Sequence, residues 1–224
     1  MLLRTEDLDN LSSGRGLGLR VALFGGSFDP PTIGHQIVGT LVSHLVDRVV
    51  FVPAGQSPLK AEHHASFEDR SAMTRLVTLG HDYAWDCWAP TVLAERPSYT
   101  IDVLSHFRDE VGCEPVLVIG SDCWREIHRW HRCDAILSQF EVVVISRPGF
   151  DARNRELRGR PKRGVTFLSG VGSDISSSAV RRRLAAGLSC RHMVPDAVCD
   201  YVILRGLYRP TSPTGDALEG SVGG

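Results

Sequence analysis

Between Val21 and Val38 the chain reads VALFGGSFDPPTIGHQIV, and its residue types and spacing could handle phosphate. Gly25 and Gly26 follow an apolar run and carry no Cβ, so their N–H groups can come close to a ligand and point at phosphate oxygens. Ser27 and Phe28 continue the turn toward two prolines. Thr32 and His35 flank Gly34 at a helix start, three residues apart, which puts both side chains on one face aimed past the helix N-terminus. An imidazolium there would stabilise charge growing on a phosphoryl group. The spacing is neither G-x-G-x-x-G nor G-x-x-x-x-G-K-[ST]. The missing third glycine and the missing acidic ribose partner disfavour a NAD-dependent dehydrogenase.

A second candidate is ISSSAVRRRL from Ile175. Ser176, Ser177 and Ser178 at a helix start offer hydroxyls and orphan N–H groups where the helix dipole is positive, with Arg181 within two turns. Arg182 or Arg183 is expected to be solvated. Other clusters carry less. His128 and His131 lack a nearby carboxylate and make a weak zinc pair, so no metal-ligating set is assigned. His63 and His64 read as loop residues. Cys87, Cys113, Cys123, Cys133, Cys190 and Cys199 form no C-x-x-C pair and read as free, mostly buried thiols.

The elements that must position these groups are legible as alternation. Short runs, apolar on both faces, at Val21 to Phe24, Val49 to Val52, Val116 to Ile119, Val142 to Ile145 and Val165 to Leu168 suit strands of a covered parallel sheet. Between and after them, Gln36 to Leu45, Phe67 to Leu79, Ser176 to Leu184 and Pro195 to Leu204 carry helical stripes, the last with Pro at a first helical position. The expected fold class is α/β, a doubly wound parallel sheet with its ligand at the carboxyl ends of the strands. Residues 1–19 lack periodicity and 211–224 are small and Gly-rich, so both are expected to be loose ends flanking a domain over 20–210.

Composition narrows the partners. The 224 residues carry 25 Lys plus Arg against 26 Asp plus Glu, a formal charge of −1, so no global field holds a nucleic acid or an anionic membrane. No apolar run approaches a membrane span and the N-terminus lacks a signal-peptide pattern, which points to a cytoplasmic protein. Homo-oligomerisation is compatible with all of this.

The segment GGSFDPPTIGH resembles the G-G-x-F-D-P-x-[HT]-x-G-H signature of the nucleotidyltransferase superfamily. Further matches follow in order: VPAGQSPLK, SFEDRSAMTRL, RPSYTIDVL, IGSD with Trp130, RPG at Arg147, ISSSAVR, and the ending around Val198, Tyr201, Leu207 and Tyr208. Together they are similar to the bacterial nicotinate mononucleotide adenylyltransferases over roughly residues 20 to 210. The resemblance implies a Rossmann-like fold and an enzyme of NAD biosynthesis. ATP and nicotinate mononucleotide are its implied substrates, with Mg²⁺ bound mainly through the ATP phosphates.

It also implies roles. His35 and Thr32 would be catalytic, His35 contacting the α-phosphate and Thr32 offering a hydroxyl where the family more often has histidine. Gly25, Gly26, Ser27, Phe28, Gly34, Gly120, Asp122, Arg147, Ile175, Ser176, Ser177, Ser178 and Arg181 would bind ATP, Asp122 at a ribose hydroxyl or indirectly at the metal. Lys60, Ser98, Tyr99, Thr100 and Trp130 would bind the nicotinate nucleotide, through the helix start at Ser98 to Thr100 and ring stacking on Trp130. Alternatives are an enzyme using the nicotinamide nucleotide or both, a pantetheine-phosphate type of nucleotidyltransferase, and a non-catalytic nucleotide-binding paralogue.

Overall fold

The computed structural model describes residues 19–55, 63–79, 85–93, 99–146, 163–169 and 173–209. Six strands form one sheet: β1 (Val21–Gly26), β2 (Arg48–Pro53), β3 (Trp85–Cys87), β4 (Pro115–Gly120), β5 (Val142–Ser146) and β6 (Val165–Ser169). Their order is β3-β2-β1-β4-β5-β6, and every pairing is parallel. The winding reverses between β1 and β4, and an open α/β sheet binds ligands at the carboxyl side of such a switch point. This is the expected doubly wound fold.

The helices are α1 (Ile33–Val42), α2 (Phe67–Thr78), α3 (Thr100–Val111), α4 (Ser121–Glu126), α5 (Cys133–Gln139), α6 (Ser177–Ala185) and α7 (Asp196–Arg205). Strand periodicity of two sorts the apolar residues onto two faces. Leu23, Val50, Val52, Leu117, Ile119 and Val144 pack with Ile101, Leu104 and Phe107 of α3. Ala22, Phe24, Val49, Phe51, Val118 and Val143 pack on the other face with Val42 of α1, Met73 and Val77 of α2, Val180 of α6, and Val198 and Val202 of α7. Each of these side chains except Ala22 contributes roughly 1.5–3 kcal/mol by leaving water. The strands are apolar throughout because both faces are covered.

Local signals set the helix ends. Ser66 accepts the Asp69 N–H at 3.0 Å, and Glu68 and Asp69 sit in the positive first turn of α2. Gly112 and Gly206, at φ 76° and 62°, close α3 and α7 in the left-handed conformation that glycine tolerates. Pro195 stands immediately before α7 rather than inside it. α1 starts at Ile33, behind the N-cap Thr32, where the Thr32 to His35 spacing put a helix start, and it ends at Val42, before the Leu45 end of the apolar stripe. β3, α4 and α5 are additional to the elements expected from sequence. The thiols also differ from expectation: all six are free, but only Cys190 and Cys199 are buried, while Cys123 is exposed. Among the described residues no helix is long and apolar enough to cross a membrane. The segments expected to be loose lie, apart from Leu19, outside the described residues.

Candidate active site

β1 and β4 are neighbours, and each ends in glycine at the same sheet edge, β1 at Gly25–Gly26 and β4 at Gly120. A Cβ added at Gly25 or Gly120 would meet nothing within 4 Å, so both backbones border open space. Gly26 differs. A Cβ there would lie 2.9 Å from the Phe28 ring, which is 1% exposed and packs edge-on to Phe24 at 5.7 Å. The two glycines therefore serve different ends: Gly26 admits an aromatic plug beneath the loop, and Gly25 leaves room above it. Gly25→Val should preserve the folding midpoint and weaken nucleotide binding, whereas Gly26→Ala should cost about 1–3 kcal/mol by overpacking. Urea denaturation beside nucleotide titration checks the pair, and an equally destabilised Gly25→Val would sink the distinction.

Thr32 and His35 open α1. The Thr32 N–H donates to His35 Nδ1 at 2.8 Å, and Thr32 Oγ1 lies 2.9 Å from the same nitrogen. An Nδ1 that accepts from a backbone N–H bears no proton, so the ring is a neutral imidazole with its proton on Nε2. Its Phe28 neighbour, 5.0 Å away at 73°, fixes the ring plane. This geometry is that of the neutral Nε2–H tautomer, where the spacing had suggested an imidazolium. Thr32, expected as a hydroxyl donor at the site, is 1% exposed with its hydroxyl against His35.

The intervening loop is held by residues far along the chain. Arg70, 2% exposed on α2, donates through Nη1 to the carbonyls of Ser27 at 2.9 Å and Ala54 at 2.6 Å. Burial lowers the pKa of its guanidinium, and the Asp29 charge opposes that shift. Asp29 is itself 3% exposed. Its carboxylate accepts the N–H groups of His64 at 2.8 Å and Ala65 at 3.1 Å, and the Tyr208 hydroxyl at 2.8 Å. The Asp29–Pro30 peptide is cis. Ser177 donates its hydroxyl to the Pro30 carbonyl at 2.8 Å, and Arg181 donates to the Asp29 carbonyl at 2.7 Å. The start of α1 is braced as well, the Ile33 N–H donating to the Met193 carbonyl at 3.0 Å.

The other sequence candidates are arranged as follows. Ser176 caps α6, accepting the Ala179 N–H at 3.2 Å, and exposed Ser178 accepts from Arg181 Nη2 at 3.2 Å. The three serine side chains and Arg181 thus already bond within the protein, and Ser177 and Arg181 fasten the segment to the loop. Arg182 and Arg183 are exposed, as expected. The Ile175 carbonyl would lie 3.4 Å from a Cβ at Gly34, so that glycine permits α1 to approach the segment before α6. Exposed Asp122 lies in the first turn of α4, directly after Gly120. Tyr99 precedes Thr100 at the start of α3 and its ring lies 4.4 Å from that of His131, next to the half-buried Trp130. Lys60, Ser98 and Arg147 lie outside the described residues.

Sequence reasoning gave no role to Asp29, Arg70 or the His63–His64 pair. His63 Nε2 lies 2.8 Å from the Gly55 carbonyl, and His64 Nδ1 lies 3.6 Å from Asp29 Oδ2. A signal for Arg70 existed: it shares a helical stripe with Met73, Thr74 and Val77, all buried, so a charge sat on the core face of α2.

A glycine-ended first strand, a switch-point crevice and an imidazole at the following helix start define a nucleotide-handling α/β protein. The family model described as cytidylyltransferase-like matches residues 23–183. A probable nicotinate-nucleotide adenylyltransferase of Herpetosiphon aurantiacus is 33% identical over 196 residues, covering 84% of this chain and 98% of the relative. One of Roseiflexus sp. is 34% identical over 197 residues, covering 84% and 98%. A solved structure of Plasmodium falciparum nicotinic acid mononucleotide adenylyltransferase complexed with NaAD shares the fold, with a TM-score of 0.72 at 20% identity over 85% of this chain and 97% of that one. The chain belongs to the nicotinate-nucleotide adenylyltransferase family within the cytidylyltransferase-like proteins.

Proposed function

We propose that the protein joins ATP and nicotinate mononucleotide to give nicotinate adenine dinucleotide and pyrophosphate. The observation that carries this reading is His35, whose Nδ1 is occupied by the Thr32 N–H at 2.8 Å. Its Nε2 proton is thereby presented as a donor at the start of α1. The 5′-phosphate of the mononucleotide attacks the α-phosphorus of ATP, a new P–O bond forms, and the bond to the β-phosphate oxygen breaks to release pyrophosphate. A phosphate nucleophile is already ionised near neutral pH, so no general base is needed. The site must align two anions and stabilise charge on the α-phosphoryl oxygens. His35 Nε2–H donates to one of those oxygens, while Gly25, Gly26, Ser27 and Gly120 line the nucleotide cleft. Phe28 and Gly34 shape that cleft from below, and Ile175 to Ser178 with Arg181 form its far wall toward the β- and γ-phosphates.

Among the described residues no group of three or more His, Cys, Asp or Glu could hold a metal ion. Mg²⁺ would be carried by triphosphate oxygens and water, with Asp122 as the carboxylate at the cleft. Bound there, the ion would neutralise charge on the triphosphate. Recognition of the pyridine ring falls to Tyr99, Thr100 and Trp130. The N-cap Tyr99 makes no side-chain capping bond at the start of α3, and the N–H groups there suit the nicotinate carboxylate. Lys60, Ser98 and Arg147 are further proposed contacts, for the nicotinate nucleotide in the first two cases and for ATP in the third. A reaction of NAD biosynthesis suits the cytoplasm.

The test is pyrophosphate release from purified protein with ATP, Mg²⁺ and either nicotinate or nicotinamide mononucleotide. A clear preference for the acid in kcat/KM is expected. Equal specificity constants would remove the acid preference, and ATP binding without pyrophosphate release would overturn the reaction itself.

A further inference from the structure

Asp29 gathers partners from three distant parts of the chain, and the one from farthest away is Tyr208, beyond the end of α7. Both Gly206 and Tyr208 have positive φ, 62° in each case. A tyrosine rarely adopts that region, and such strain persists only where the surroundings over-determine it. Here the backbone turns back so that the phenol reaches a carboxylate that is 3% exposed. Burial first, and then the Asp29 charge, push the Tyr208 pKa far above its ordinary value, so the group remains a hydrogen-bond donor.

α7 has a separate anchor. Tyr201 donates to Asp69 of α2 at 2.8 Å, and Arg205 Nε donates to the same carboxylate oxygen at 3.2 Å. Helix docking therefore does not depend on Tyr208. The Tyr208 bond acts at Asp29, which also accepts the His64 and Ala65 N–H groups and lies in the loop from Ser27 to Thr32 whose far end caps α1 and orients His35.

We propose that Tyr208 is a positioning residue for adenylyl transfer, forming with Asp29 a latch through which the end of α7 holds the loop and thereby His35 in place. The inference rests on the proposed reaction for its consequence, but the latch itself is a property of the fold. Arg70 grips the beginning of the loop at the Ser27 carbonyl, and the latch grips its middle at Asp29. With one grip removed, the loop opens more often and the imidazole spends less time in the productive geometry. A misplacement of about 1 Å can lower a rate by up to roughly a hundredfold without loss of binding.

The test compares Tyr208→Phe with Tyr201→Phe in the full chain. Tyr208→Phe is expected to lower kcat about tenfold with KM for ATP within about threefold, and to speed amide hydrogen exchange at residues 27–35 about tenfold. Tyr201→Phe loses a hydrogen bond of similar kind at the α7 anchor, and should lower the unfolding midpoint while leaving kcat and exchange at 27–35 unchanged. Unchanged exchange at 27–35 in Tyr208→Phe, or the same changes in both variants, would overturn the latch. If exchange speeds but kcat stays within twofold, the latch stands as structure and its positioning role fails. If the parent protein releases no pyrophosphate, the reaction assignment and the positioning role fail together, while exchange still decides whether the latch exists.

Discussion

A His35→Ala variant is expected to lose about 10²- to 10³-fold in kcat, the scale of removing one preorganised donor from a developing oxyanion. KM for ATP should change far less, because the donor acts on charge that grows during transfer and the rest of the nucleotide keeps its contacts. The structure gives a reason for the size. The imidazole is neutral, its Nδ1 satisfied at 2.8 Å by the Thr32 N–H and its ring set against Phe28, so it arrives already oriented and little reorganisation is needed during the reaction. Single-turnover measurement of pyrophosphate release separates this chemical step from product release. A variant within tenfold of the parent would remove His35 from the transfer step.

The second large effect is on stability. Arg70→Met leaves the carbonyls of Ser27 and Ala54 without the donor that now bonds both at 2.9 and 2.6 Å. It also leaves the buried Asp29 carboxylate with less positive charge nearby. Losing charge-assisted bonds at a site 2% exposed should cost about 3–5 kcal/mol. Because one nitrogen, Nη1, serves both carbonyls, Arg70→Lys should recover part of that loss, which would not follow if a bidentate fork were required. Urea denaturation of the three proteins gives the comparison. A methionine variant less than about 1 kcal/mol below the parent would show that Arg70 does not hold the loop.

The parts of the molecule legible in the sequence were those set by local chemistry. Five strands announced themselves because burial on both faces demands unbroken apolar runs, as in Val142 to Ile145. β3 did not, because three residues, Trp85–Cys87, at a sheet edge carry too little pattern and include Asp86, which pairs with Arg48 at 2.6 Å. α4 and α5 span Ser121–Glu126 and Cys133–Gln139, too short to establish a helical period. The glycines and the Thr32–His35 spacing were legible for the same local reason, since turn and cap chemistry depend on neighbours. What escaped were long-range polar ties. Nothing in the spacing of Asp29 and Tyr208 shows that they meet, because a single hydrogen bond across 179 positions leaves no period and no composition. The tautomer of His35 also escaped, since it follows from a backbone N–H whose direction only the folded cap defines.

The tie between Asp29 and Tyr208 also bears on the order in which the molecule can become competent. Synthesis delivers the loop at Ser27 to Thr32 early and its partner at Tyr208 about 180 residues later. Strands β1 to β6 are all complete by Ser169, so the sheet can be assembled while the loop still lacks its final restraint. A nascent or truncated chain ending at Arg205 would contain every strand and helix of the described residues and still lack Tyr208. The sheet would then precede the Tyr208 tie, so that reaching the fold and fully ordering the loop that orients His35 become separate events in time.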